Sequence, residues 1–214
     1  MGNRAVITTK KEWERGGIGV YLHWNGGRDS VEAFLKYCEM KGYREPDKDF
    51  YGWARLCQVI GNFFGGSNSV GIDRLWYLDK DNGDNGVYIL EGWEIVDRYY
   101  KDGVEQQEYD LNEMLKAINK DQPEKEKLPE DLFDAIVTPT EDLIIGNEVY
   151  VQDWSGDWSL ERIVGRGEKR VVNGTDVEGV PYTEQYPGGP DNINNYLGEP
   201  AYRLSVKKVL RDMA

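Results

Sequence analysis

The chain is short of the residues on which most protein chemistry depends. It has one histidine and two cysteines in 214 residues. A Ser/His/Asp or Cys/His machine would have to run through His23, and no serine or cysteine stands in a recognisable nucleophile context near it. Cys38 and Cys57 lack the spacing of a thiolate metal site, which excludes zinc. No other metal or cofactor is expected. Both cysteines fall on apolar faces of expected helices, so they read as buried reduced thiols rather than a disulfide framework. Apolar runs are short as well, and none approaches the ~20 residues that span a bilayer. The N-terminal apolar stretch ends at Thr9 and is broken by the charges of Lys10 to Arg15, too early for a signal-peptide core, so a cytoplasmic protein is expected. Basic residues are scarce: 26 Lys and Arg face 39 Asp and Glu, a net charge of −13. That balance opposes binding to nucleic acid or anionic membrane, where Lys and Arg must displace counterions.

Aromatic residues are plentiful, with seven Trp and fourteen Tyr, and mark folded material. Ala5 to Thr8 reads as a strand. Ile18, Val20, Leu22 and Trp24 alternate with Gly19, Tyr21, His23 and Asn25, the period-2 pattern of a half-buried strand that Gly26-Gly27 ends. Asp29 then offers an N-cap with Glu32 three residues on. Val31, Phe34, Leu35 and Cys38 follow at helical spacing, which predicts a helix over 30–41 with Gly42 just beyond. Trp53, Leu56, Cys57, Ile60, Phe63 and Phe64 form a second helical stripe, and Leu111, Met114, Leu115 and Ile118 a third. Between them, Val87–Leu90 and Trp93–Val96 read as strands. The polar segment before them offers two Asn-Gly turns.

Strands and helices follow one another without a regular βαβ rhythm, so an α+β domain with antiparallel strands is expected over 1–120. Residues 121–139 are charged and contain proline, the composition of an acidic linker, with room for a helical turn or two over 131–136. Alternating apolar residues and turn signals predict a small β-rich, barrel-like domain over 140–214.

Three motifs suggest chemistry. His23, Asn25, Gly26, Gly27 and Arg28 form a glycine-rich turn opening a helix, where free N–H groups attract an anion. The turn lacks both the Lys-Ser/Thr pair of a P-loop and the spaced glycines of a dinucleotide fold, and tight turns use glycine anyway. Asp79, Asp81, Gly83 and Asn85 resemble a calcium loop. The sixth position, however, is Asp84 where glycine is required, and the twelfth is Leu90 where a bidentate Glu belongs. Carboxylate pairs for glycosidic chemistry carry no signal among so many acids. No residue is assigned a catalytic role, and a binding protein fits these features better than an enzyme.

The acidity is localised. Residues 73–113 hold twelve Asp/Glu against four Lys/Arg, and residues 121–161 twelve against two, whereas 162–214 hold seven against eight. This pattern reads either as solvated faces or as docking surfaces for a basic partner. The expected docking set is Glu124, Glu126, Glu130, Asp131, Asp134, Glu141 and Asp142. Trp154 and Trp158, flanking a turn, are candidate aromatic anchors.

The opening Met1-Gly2-Asn3-Arg4-Ala5-Val6-Ile7, then Val20 to Gly27, and later Tyr51-Gly52-Trp53-Ala54-Arg55 resemble accessory proteins of bacteriophages, prophages and mobile elements that carry no assigned activity. The resemblance covers roughly residues 1–100. It implies a bacterial host cytoplasm, and a role like that of small acidic inhibitors of nucleic-acid-targeting defence, of the anti-restriction or anti-CRISPR kind. The expectation is therefore a non-enzymatic protein that binds a basic host protein, such as a nuclease. The alternatives are a nucleotide- or phosphate-binding domain using the His23–Asp29 loop, and a virion-assembly module.

Overall fold

A computed structural model describes residues 2–134, 136–137, 145–152, 156–166, 170–172, 175–177, 181–183 and 207–208. The chain divides into two units, Met1–Leu128 and Pro129–Ala214.

The first unit is organised around β1 (Ala5–Thr9), which is buried at every residue. Its sequence is continuously apolar up to two threonines, as a strand covered on both faces requires. β1 lies between β2 (Ile18–Leu22), antiparallel to it, and β4 (Val87–Glu91), parallel to it. β3 (Val70–Arg74) and β5 (Glu94–Tyr99) add antiparallel edges, so the sheet order is β3-β2-β1-β4-β5. The sheet is thus mixed: three pairings are antiparallel, as expected, and β1–β4 is parallel.

The register puts Val6 opposite Tyr21 and Val87, and Thr8 opposite Ile89. On this face Val6, Val87, Ile89 and Leu75 form a cluster covered by Trp13, Tyr21 and Leu78. Trp13 comes from the short helix α1 (Lys10–Arg15), and Leu75 and Leu78 from the loop after β3. The other face carries Ala5, Ile7, Val20, Leu22, Tyr88 and Leu90, all essentially inaccessible. Over it lies the start of α2 (Arg28–Met40), which packs against α3 (Phe50–Phe63) and α4 (Leu111–Asp121).

The predicted stripes are the packed faces of these helices. Val31, Phe34, Leu35 and Cys38 are buried on α2, and so are Ala33, Tyr37 and Met40, because α2 meets both of its neighbours. α2 starts earlier than expected. Gly27 takes the N-cap position, and Asp29 sits inside the first turn. Asp49 caps α3 by accepting from Gly52 N–H, and Asp110 caps α4 by accepting from Asn112 and Glu113. Two expectations differ here. Trp24 lies beyond the end of β2 and is 45% exposed rather than in the core. β3, in a segment expected to be irregular, is an edge strand.

Residues 121–128, expected as the start of a linker, are bound to the first unit. Asn119 is buried, donates to Leu128 C=O at 3.0 Å and accepts from Leu128 N–H at 2.7 Å and Tyr37 O–H at 2.8 Å. Gln122 donates to Val59 C=O, and the Glu126 carboxylate accepts from Tyr43 O–H. Charge and proline advertise a linker, but these side chains hold the backbone down.

The second unit begins with a 3₁₀ turn, Glu130–Asp134, whose Leu132 and Phe133 are buried. The strands are β6 (Ile136–Val137), β7 (Glu148–Gln152), β8 (Trp158–Arg166), β9 (Arg170–Val172), β10 (Thr175–Val177), β11 (Pro181–Thr183) and β12 (Lys207–Lys208). They form a five-stranded sheet, β11-β8-β7-β12-β6, and a two-stranded β9–β10 pair. The expected β-rich character is present. Among the described residues no pairing closes this sheet into a barrel. No helix among them is long and apolar enough to cross a membrane.

Asn119→Ala strips partners from two backbone groups of Leu128 and from Tyr37. It should destabilise the first unit by roughly 2–4 kcal/mol in urea titration and speed hydrogen exchange at the Leu128 amide.

Candidate functional site

The glycine turn is built for close approach between backbone segments. Gly26 N–H donates to Asn3 C=O at 2.8 Å. A β-carbon on Gly26 would lie 2.6 Å from Ala5 N, and one on Gly27 2.4 Å from Gln106 C=O. Asn25 adopts a left-handed backbone, φ 52°, to make the bend. His23 is exposed at the sheet end, with its Nδ1 3.5 Å from Tyr21 Oη and its ring edge-on to Trp24. Arg28 points the other way. Its Nε donates to Glu105 at 2.6 Å, its Nη1 to Glu32 at 3.0 Å, and its guanidinium overlies Tyr88. His23, Asn25, Gly26, Gly27 and Arg28 are thus one turn, roofed by the chain's own 101–110 segment. That segment is tied to Asp29, whose Oδ2 accepts from Glu108 and Tyr109 N–H at 2.6 and 2.7 Å.

The calcium-like loop is equally self-directed. Buried Asn82 accepts from Asp84 and Gly86 N–H and donates to Asp79 and Gly86 C=O. Asn85 donates to Asn3 Oδ1, and Asp84 pairs with Arg4 at 2.6 Å. Of the ligand-like residues, Asn85 has its Oδ1 taken by Gln106 N–H, whereas the Asp79 and Asp81 side chains are exposed to solvent. Among the described residues no group of three or more His, Cys, Asp or Glu could hold a metal ion.

Cys38 is buried and Cys57 half-buried, and neither is in a disulfide. Burial pushes the Cys57 thiol up to about 11 and the Cys38 thiol higher still. Thiolate, the nucleophilic form, is suppressed at both.

The expected docking residues fall in both units. In the first, Glu124 is exposed and pairs with Lys127, while Glu126 is half-buried against Tyr43. In the second, Glu130, Asp131 and Asp134 are exposed on the 3₁₀ turn, and Trp158 is half-buried at the start of β8. Glu141, Asp142 and Trp154 lie outside the described residues.

A surface that sequence reasoning overlooked lies on the sheet face of the first unit that Trp13 covers. Trp13 stacks on Tyr99 at 5.0 Å and meets Tyr100 edge-on. Lys80 sits over the Tyr100 ring, and Trp76 packs beside Gly16 at the end of α1. Trp76, Tyr77, Tyr99 and Tyr100 stay 58%, 74%, 43% and 50% exposed. Within four residues of them along the chain are exposed Asp73, Asp79, Asp81, Asp97 and Asp102. The Arg98 N–H and Tyr99 hydroxyl hold the Asp97 carboxyl below its ordinary range, keeping it charged. The signal was the pair of aromatic doublets, Trp76-Tyr77 and Tyr99-Tyr100, inside the acidic 73–113 segment. Only the fold shows that they share a face.

No protein-family model, curated protein or solved structure matches the chain.

Gly26→Ala drives a methyl group into the backbone of Asn3, Arg4 and Ala5 and should destabilise the fold by roughly 1–3 kcal/mol, read from a chemical melt. At pH 8 a thiol at about 11 instead of the ordinary 9.0 carries roughly a hundredfold less thiolate. Iodoacetamide should therefore label native Cys57 about that much more slowly than unfolded chain, as followed by mass spectrometry.

Proposed function

We propose that the chain is a non-enzymatic accessory protein of a phage or mobile element, which binds a basic host protein in the bacterial cytoplasm. The partner class that fits is a nucleic-acid-binding protein, such as a defence nuclease, whose cationic groove an acidic surface would fill. The observation that carries this reading is the acidic aromatic face of the first unit. Tyr and Trp are the residues that most often supply binding energy at protein interfaces, because they bury large area with few rotatable bonds. Monomeric proteins rarely leave several of them exposed together. Here four are exposed, and five exposed aspartates lie within four residues of them along the chain.

The division of labour follows from charge physics. Solvent-exposed carboxylates accelerate encounter with a cationic partner, and salt screens them within about 8–10 Å. The aromatic rings then hold the complex through desolvation. Arg74 over the Trp76 ring at 5.6 Å and Lys80 over the Tyr100 ring at 5.9 Å already show these rings receiving cations. Glu124, Glu130 and Asp131 add exposed acidic charge in the 121–161 segment.

Capture from host lysate with wild type, with Trp76→Ala/Tyr77→Ala and with Asp79→Lys/Asp81→Lys/Asp102→Lys tests the reading. A basic protein should bind the wild type and release as salt rises. The aromatic variant should lose roughly thirtyfold in affinity, and charge reversal should slow association most. A partner that is acidic, or that all three proteins retain equally at high salt, would rule this function out.

A further inference from the structure

Seven buried side-chain polar atoms among the described residues have no hydrogen-bond partner. Five belong to one neighbourhood: Ser30 Oγ, Tyr88 Oη, Arg98 Nη2, Glu105 Oε1 and Gln106 Oε1. Ser30 is in the first turn of α2, Tyr88 on β4, Arg98 on β5, and the other two on the 101–110 segment. Ser30 and Tyr88 are wholly buried, and the Arg98 side chain is 8% exposed. Folded proteins seldom leave such groups unpaired, because each costs about 1–3 kcal/mol.

The charged groups show what chemistry the place accepts. The guanidinium groups of Arg28 and Arg98 lie 5.7 and 6.0 Å from the Tyr88 ring. The Glu105 carboxylate bridges the two arginines, accepting from Arg28 Nε at 2.6 Å and lying 3.7 Å from Arg98 Nε. Arg98 Nε donates to Asn85 C=O, so its Nη2 is left for a further acceptor. Burial pushes the Tyr88 phenol up, which keeps it a neutral hydrogen-bond donor. Two guanidinium groups, two hydroxyl groups and the N-terminal end of a thirteen-residue helix therefore converge where one carboxylate already sits.

We infer that the start of α2, with Arg28, Arg98, Tyr88 and Ser30, is a carboxylate-binding pocket in which Glu105 stands as a built-in occupant that a free carboxylate ligand replaces. The charge balance selects a monocarboxylate over a phosphate dianion. With Glu105 withdrawn, the two arginines are offset by Glu32, bonded to Arg28, and by Asp29 in the same turn. The replacement exchanges one set of hydrogen bonds for another and breaks no covalent bond. The segment that would lift away has no helix or strand. Besides Glu105 it is fastened by two N–H bonds to Asp29, one to Asn85 and one from Asp102 to Asp84 C=O. The pocket residues are none of the docking residues, though Asp102 belongs to the segment that lifts, and the test below needs no docking partner.

Sodium formate and acetate serve as probes, with chloride and phosphate at matched ionic strength. Glu105→Ala should melt roughly 5 °C below wild type. Formate should recover at least half of that loss with saturable dependence, acetate should act similarly, and phosphate should do less. Wild type should respond in the same direction but more weakly, because its own Glu105 competes for the two arginines. Adding Arg98→Met to Glu105→Ala should abolish the recovery. Equal carboxylate effects on wild type and variant, or none on either, would make Glu105 an ordinary ion-pair partner and overturn the pocket. Should Glu105→Ala not fold, Glu105→Gln keeps the shape without the charge. Its Arg28 and Arg98 Nε–H signals should then shift saturably with formate in NMR spectra, and signals that do not move would overturn the pocket equally.

Discussion

Burial of β1 on both faces is the constraint from which the first unit follows. A strand covered on one side needs one layer, whereas Ala5 to Thr9 need two, and the chain supplies them by different means. One face receives regular helices with wide apolar stripes. The other receives a short helix and a long loop, pinned by Trp13, Leu75 and Leu78. A cover made of loop cannot bury all of its aromatic side chains. The helical face is therefore sealed, and the loop face leaves Trp76, Tyr77, Tyr99 and Tyr100 in water. The face with functional potential is a by-product of how the central strand is covered.

Amide side chains do the work that regular structure does elsewhere. Asn3, Asn82 and Asn85 turn the 79–86 loop inward, and Asn119 and Gln122 hold the segment after α4. Each is buried, and Asn82, Asn85, Asn119 and Gln122 use both donor and acceptor sides. In a low-dielectric interior a satisfied amide fixes backbone strongly, because breaking it strands two or three groups at once. This explains how a chain with so many turns keeps a definite shape without disulfides.

The readable parts of the sequence were those set by local periodicity. Val31, Phe34, Leu35 and Cys38 announce α2, and the two Asn-Gly pairs announce turns. β3 was hidden because Val70–Arg74 has glycine and two charges. Only pairing with β2 makes it a strand, and its outer edge is free to be polar. Trp24 continued an alternation that Asn25 had already ended by turning left-handed. The Gly26-Gly27 turn was legible as a helix start, but its roof comes from residues 77 to 80 positions away. No local pattern carries that information. The same holds for Asn119 and Leu128, where composition pointed to a linker.

Charge and packing turn out to be coupled in the acidic 73–113 segment, which is not one surface. Asp84, Glu105 and Asp110 are spent inside the fold, on Arg4, on Arg28 and on the α4 cap. Asp73, Asp79, Asp81, Asp97 and Asp102 remain in solvent. A carboxylate already paired in the native state contributes little to the long-range field, since its partner cancels it at distances beyond a few ångströms. Net charge along the sequence therefore overstates the field of the segment, and the exposed aspartates set its direction. Each of them lies within four residues, along the chain, of the exposed Trp76, Tyr77, Tyr99 or Tyr100. In the function proposed above, attraction and adhesion would then act through neighbouring residues of one segment.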